Sequence, residues 1–228
     1  MPIVKLGLAL ACLAIVQARA QEAVTEWFPL HPGDQWFYAH ESRDNTGAGQ
    51  AHPEIHQWRT KETVTGIWTI PEGTLVGKQV RVIEGSPRPG YRVDASPADL
   101  IRGNCAYTTY LDWDPIAHQL TAYYRQSLLA GEVAADFCFP LVVGKSWGAP
   151  HWADWRPPAD AQDWRIVAFD ASQNAFHIAS ISSYLGSGMT ADIWFEKAVG
   201  IIREDEIHHG TVGEERTRLL HFVPASPR

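Results

Sequence analysis

The densest run of metal-ligating side chains is Glu204-Asp205-Glu206-Ile207-His208-His209, with Glu214 and Glu215 just beyond Gly210. Imidazoles and carboxylates together suit a divalent transition metal, and a hairpin brings residues of opposing strands close. On that reading His208 and His209 are the metal candidates, and a metal-assisted hydrolase is the chemistry they would serve. Neighbouring strand residues point to opposite faces, so the two imidazoles share an ion only if the turn rotates one of them. A solvated acidic hairpin is the plainer reading. Asp112-Trp113-Asp114-Pro115 places two carboxylates on one side of an extended chain, a layout for calcium or for an acid/base pair, and equally for a turn start. In His52-Pro53-Glu54-Ile55-His56 the Glu is out of place for a zinc helix, and Pro53 opposes a helical presentation. The chain has no Walker loop or C-x-x-C pair. No catalytic residue is assigned and no cofactor is expected.

Ten tryptophans are a heavy load for 228 residues, and Trp147, Trp152, Trp155 and Trp164 crowd one proline-rich segment. Exposed indoles stack on sugar rings or aliphatic ligands, which makes these four the ligand-binding candidates. Against that stands the use of large aromatics to fill the core of a wide sheet.

The first twenty residues read as a secretory signal: Lys5, an apolar stretch from Leu6 to Val16, then Ala18-Arg19-Ala20 before Gln21. The apolar stretch is too short for a spanning helix. Cleavage after Ala20 leaves residues 21–228 as a single domain, periplasmic or extracellular in a bacterium, with no stable membrane span. Cys12 invites a lipid anchor, but Ala9 and Leu10 match a lipobox poorly and the apolar run continues past it. Loss of Lys5 and Arg19 leaves 17 Lys and Arg against 26 Asp and Glu, a formal charge of −9. That balance disfavours nucleic acid or an anionic membrane surface as partner. Cys105 and Cys138 remain, and an oxidising compartment makes a disulfide between them the default, with two buried thiols as the alternative.

These groups are positioned by strands. Short alternating, β-branched and aromatic runs occupy 35–41, 55–66, 75–84, 91–94, 105–113, 119–125, 165–170, 176–185, 191–196, 199–207 and 215–223, with turn residues between them. Hairpin turns are predicted at 170–174 and 207–211, and short helices over 96–103 and 127–135. The predicted fold is mainly β: one large antiparallel curved sheet, half-barrel or sandwich, with one or two short helices. The pattern F-P-L-x-x-G-x-x-W occurs at Phe28–Trp36 and again at Phe139–Trp147. Sliding the chain by the same offset lays Ile70–Val80 on Ile181–Ala191 with no further match, so the pattern reads as one turn device used twice.

Trp27-Phe28-Pro29-Leu30 with Gly33 and Trp36, Ile70-Pro71-Glu72-Gly73-Thr74-Leu75, Phe139-Pro140-Leu141 with Gly144 and Trp147, and Ile193-Trp194-Phe195-Glu196-Lys197-Ala198-Val199-Gly200-Ile201-Ile202 together resemble a family of uncharacterised secreted bacterial β proteins. Ala198 and Leu75 stand where that family commonly has glycine and an aromatic residue. The resemblance implies an antiparallel β fold in the cell envelope or outside the cell, and no activity. The expected function is therefore non-enzymatic binding of a small lipophilic or carbohydrate ligand, or of an envelope protein. A metal-assisted hydrolase and an envelope assembly or scaffold component are the alternatives.

Overall fold

The computed structural model describes residues 27–44, 54–86, 108–114, 117–124, 135–147, 164–180, 189–208 and 213–226. They form twelve strands: β1 (Gln35–Asp44), β2 (Glu54–Thr69), β3 (Gln79–Gly85), β4 (Thr108–Asp114), β5 (Gln119–Tyr124), β6 (Ala135–Cys138), β7 (Ser146–Trp147), β8 (Trp164–Asp170), β9 (Ala175–Ser180), β10 (Met189–Glu196), β11 (Gly200–His208) and β12 (Gly213–Val223). All belong to one antiparallel sheet, nearly closed and barrel-shaped. Its order is β6-β5-β4-β3-β2-β1-β12-β11-β10-β9-β8-β7, so strands consecutive in sequence pair throughout except β6 with β7, and the first strand also pairs with the last. The opening lies between β6 and β7, which the loop from Phe139 to Lys145 joins.

No helix occurs among the described residues. The predicted helix at 96–103 lies outside them, as does that at 127–135 except for Ala135, which begins β6. The strand predicted from Leu75 starts later, because Thr74–Gly77 turns back on itself, Gly77 donating to the carbonyl of Ile70 at 2.8 Å. The strand predicted at 91–94 is outside the described residues; of the hairpin turn predicted at 207–211, Ile207 and His208 end β11 and 209–211 are outside them. The turn after β8 forms as predicted: Asp170 Oδ1 accepts from the Ser172 amide at 2.9 Å, and Asn174 takes φ +53°.

The repeated motif is repeated structurally as well. At the first copy, Asp34 donates to the carbonyl of His31 and Gly33 takes φ +101°; at the second, Lys145 donates to Val142 and Gly144 takes φ +91°. Both are type II turns with glycine where φ must be positive. Each then docks on the strand two places along in the chain: Gly33 N to Val64 O, 2.8 Å, and Val64 N to Asp34 O, 3.0 Å, against Gly144 N to Ile166 O, 2.8 Å, and Ile166 N to Lys145 O, 2.9 Å. A bulge follows in both places, at Thr65 and at Val167, and Val64 pairs with Ile83 as Ile166 pairs with Ile178. The first three strands of each half of the sheet, β1–β3 and β7–β9, are thus built on one plan. A constant offset hides this, because the second half reaches Ile166 and Ile178 in fewer residues than the first needs to reach Val64 and Ile83.

The core fills the inner face at the motif end, where Leu30 and Leu141, Trp36 and Trp147, Val64 and Ile166, and Ile83 and Ile178 are all buried. Phe28, Trp36, Phe137, Phe139 and Phe195 form a chain of tilted and edge-on ring contacts with centroids 5.5–5.9 Å apart. Trp36 Nε1 donates to the carbonyl of Val199 at 2.7 Å, so even this fully buried indole satisfies its polar atom. The β1·β12 ladder skips Leu220, which leaves that side chain exposed while Leu219 and Phe222 both reach the core. This bulge explains why both faces of the last strand look apolar in the sequence.

Candidate functional site

The ladders place the charged residues of β11 and β12 on two faces. Glu204, paired with the buried Ile193, and Glu206, paired with Ala191, face inward; Glu215 is opposite Glu206 across β11·β12. With Glu62 of β2 they make the inner face acidic beyond the aromatic core. Burial, then Glu206, Glu215 and Glu62, push the Glu204 carboxyl up to about 8. Burial, with Glu62 and Glu204 nearby, also raises the Tyr38 hydroxyl well above its ordinary value; that hydroxyl donates to the carbonyl of Ile201 at 3.2 Å. His40 stacks on Trp58 with centroids 5.0 Å apart, and its ring nitrogens bond Thr217 Oγ1 at 3.0 Å and Thr60 Oγ1 at 2.7 Å.

Asp205, Glu214, Arg203, Arg216 and Arg218 alternate onto the outer face. Asp205 bonds both Arg203 and Arg218; burial pushes its carboxyl up, and those two guanidiniums outweigh it and hold the carboxyl below the usual range. Arg203 also stacks on Trp194, 3.9 Å from the ring centroid, and His177 stacks on Trp194 at 4.5 Å while bonding Asp192 at 2.6 Å. The result is a row of planar side chains running across the strands from His177 through Trp194 and Arg203 to Arg218.

The row is interrupted at Ala39. This residue of β1 lies opposite Arg218 of β12 on one side and Arg59 of β2 on the other. Its methyl group leaves an open depression of about 470 Å³, lined by Arg59, Arg216, Arg218, Gln57 and Glu41 around Ala39. Bonds from Gln57 and Arg43 hold Glu41 below the usual carboxylate range. Arg216 pairs with Glu214 at 3.3 Å, whereas Arg59 makes no hydrogen bond or ion pair among the described residues.

The candidates read from the sequence fare differently. Trp147 is buried and pairs across the ladder with half-buried Trp164; both pack on the core. Trp152 and Trp155 lie outside the described residues. Every described tryptophan is buried or half-buried. His208 ends β11, and His209 is outside the described residues; no group of three metal-ligating side chains converges among those described. Asp112 is taken up by Lys78 Nζ at 2.6 Å, and Asp114 accepts from the Ala117 amide at 3.0 Å, which is the turn-starting role. Cys138 is half-buried with a free thiol; its expected partner Cys105 lies outside the described residues. The Ala39 depression was not found from sequence. Its signal is the alternation of Arg59, Arg216 and Arg218 about one small residue, which becomes legible only when the register of three strands is known.

No family model and no curated protein matches the chain. Three solved structures are similar in outline. One is a Parabacteroides distasonis protein inferred to be a lipoprotein, 13% identical over 86% of this chain and 97% of its own, with a TM-score of 0.36. Another is a Bacteroides fragilis protein inferred to be exported and described as having a YmcC-like fold, 8% identical over 86% of this chain and 98% of its own, with a TM-score of 0.41. The third is a Vibrio parahaemolyticus domain inferred to belong to an outer-membrane lipoprotein-sorting protein, 7% identical over 91% of each chain, with a TM-score of 0.24. Among the described residues no helix is long and apolar enough to cross a membrane.

Proposed function

We propose that the chain is an exported, non-enzymatic binding protein of the bacterial cell envelope, and that it holds a polar, saccharide-like ligand on its outer face. The secretory layout of residues 1–20 supports the location. One observation carries the choice of ligand. The apolar part of the inner face is already occupied by the protein's own side chains, with Trp36, Ile166, Ile178 and Phe195 fully buried, and the inner face beyond them is carboxylate-lined. Among the described residues an acyl chain finds no apolar berth there without displacing packed side chains, at a cost of several kcal/mol by order of magnitude. The outer face, by contrast, has a depression with guanidinium and amide donors around an apolar floor, the mixture that hydroxyl-rich ligands use.

Isothermal titration of residues 21–228 with neutral and acidic oligosaccharides, beside uptake of the fluorescent acyl-site probe N-phenyl-1-naphthylamine, tests this reading. Saturable heat with a saccharide and no saturable probe uptake are expected. Saturable probe uptake with no saccharide heat would overturn it in favour of a lipophile carrier.

A further inference from the structure

The outer-face row has a gap of definite size and charge. Ala39 separates Arg59 from Arg218 by two strand spacings, about 9.6 Å at 4.8 Å each. Two guanidiniums at that spacing have room for one carboxylate or phosphate between them, each presenting an N–H fork to it. Arg218 lines the depression and is held from its far side, on β11: its Nη1 bonds Asp205, the carbonyl of Glu204 at 3.2 Å and that of Thr217 at 2.8 Å, while Nη2 and Nε make no bond among the described residues. Arg59 has its whole fork available among the described residues, and Arg216 stands diagonally across the depression. Around this point five arginines, Arg43, Arg59, Arg203, Arg216 and Arg218, meet four carboxylates, Glu41, Asp192, Asp205 and Glu214. A local excess of positive charge on a chain that is acidic as a whole concentrates anions at that spot.

We infer that the Ala39 depression binds an acidic saccharide, whose carboxylate or phosphate group is bracketed by Arg59 and Arg218 while its ring rests on the Ala39 floor beside Gln57 and Arg216. The inference rests on the proposed saccharide-binding function and adds the anionic requirement. Two like-charged side chains facing each other across an alanine gain from an anion placed between them, whereas a neutral sugar gains only hydroxyl contacts.

Titration calorimetry on residues 21–228 with trigalacturonate, glucose 6-phosphate and maltotriose tests it, repeated with Arg59→Ala and Ala39→Leu. Arg59→Ala removes an exposed side chain, and Ala39→Leu fills the depression and keeps every arginine; circular dichroism confirms the folding of each. The expected result is that trigalacturonate or glucose 6-phosphate binds at least about tenfold more tightly than maltotriose, weakens as salt rises, and loses about tenfold or more in both variants. Comparing the two acids shows whether carboxylate or phosphate is preferred. If maltotriose binds as tightly as the acids and both variants bind like the parent, the anionic site is wrong and saccharide binding stands. If no saccharide binds, both fall.

Discussion

Phe28 and Gly200 touch so closely that a β-carbon at Gly200 would stand 2.8 Å from Phe28 Cε2 and 3.1 Å from Cδ2. Gly200 also takes φ +100°, a conformation that favours glycine. The motif that opens β1 is thereby pressed against the turn that opens β11. Gly200→Ala is expected to destabilise by roughly 2 to 4 kcal/mol, combining backbone strain with displacement of the ring. Urea unfolding followed by tryptophan fluorescence reads this, and an unchanged midpoint would contradict the contact.

Ile83 and Ile178 hold equivalent places in the two halves, each paired with the residue on which its turn device docks. Both are buried, at 4% and 0% exposure. Ile83→Ala and Ile178→Ala should each cost about 2 to 5 kcal/mol, and the two costs should agree to within about 1 kcal/mol. A large cost at one and a negligible cost at the other would show that the plan is shared in outline only.

Asp34 is 2% exposed and accepts from the His31 amide and from the Ala225 amide, both at 2.7 Å. It ties the first turn to the end of the chain. Asp34→Ala leaves two partly buried donors without partners and is expected to cost about 1 to 3 kcal/mol for each donor that water fails to reach. Limited proteolysis should then release the C-terminal residues faster than in the parent; equal rates would argue against the tie.

The raised Glu204 carboxyl gives a pH dependence with a definite sign. Its ordinary value is 4.5 and the folded value about 8, so the folded state binds this proton more tightly than the unfolded one. The stability linked to it is fully present below pH 4.5 and is lost as the pH rises to 8. Glu204→Gln, which cannot lose a proton, should flatten the fall in urea midpoint between pH 5 and pH 8, and should stabilise the protein most at the alkaline end. A slope unchanged by the substitution would assign it to other groups.

Sheet class and most strand positions were legible because alternation and turn residues are local signals, as at 119–124 and around Asp170. β7 escaped notice because two residues carry no period, and β6 because Leu128, Leu129 and Ala130 before it look helical. Ala198 takes φ +63°, a left-handed conformation visible only in the fold. The split of Glu204, Asp205 and Glu206 between two faces follows from simple alternation. Which face is inside does not, since it depends on the pairing of Ile193 with Glu204. The Ala39 depression needed more still, the joint register of β12, β1 and β2.

The pairing of β1 with β12 also governs the order in which the molecule can be completed. Each other ladder joins strands adjacent in the chain and can zip as soon as its second strand is available. The ladder in the middle of the sheet joins Gln35–Asp44 to Gly213–Val223 and has to wait for nearly the entire polypeptide. Until then β1 exposes one unsatisfied edge, and the Asp34 carboxylate has no Ala225 amide to accept from. Such long-range closure makes folding slow for a chain of this size. In a chain emerging N-terminus first, from a ribosome or through a membrane pore, β1–β6 can pair with one another, and β7–β11 likewise, before β12 arrives to join the two sets in one sheet.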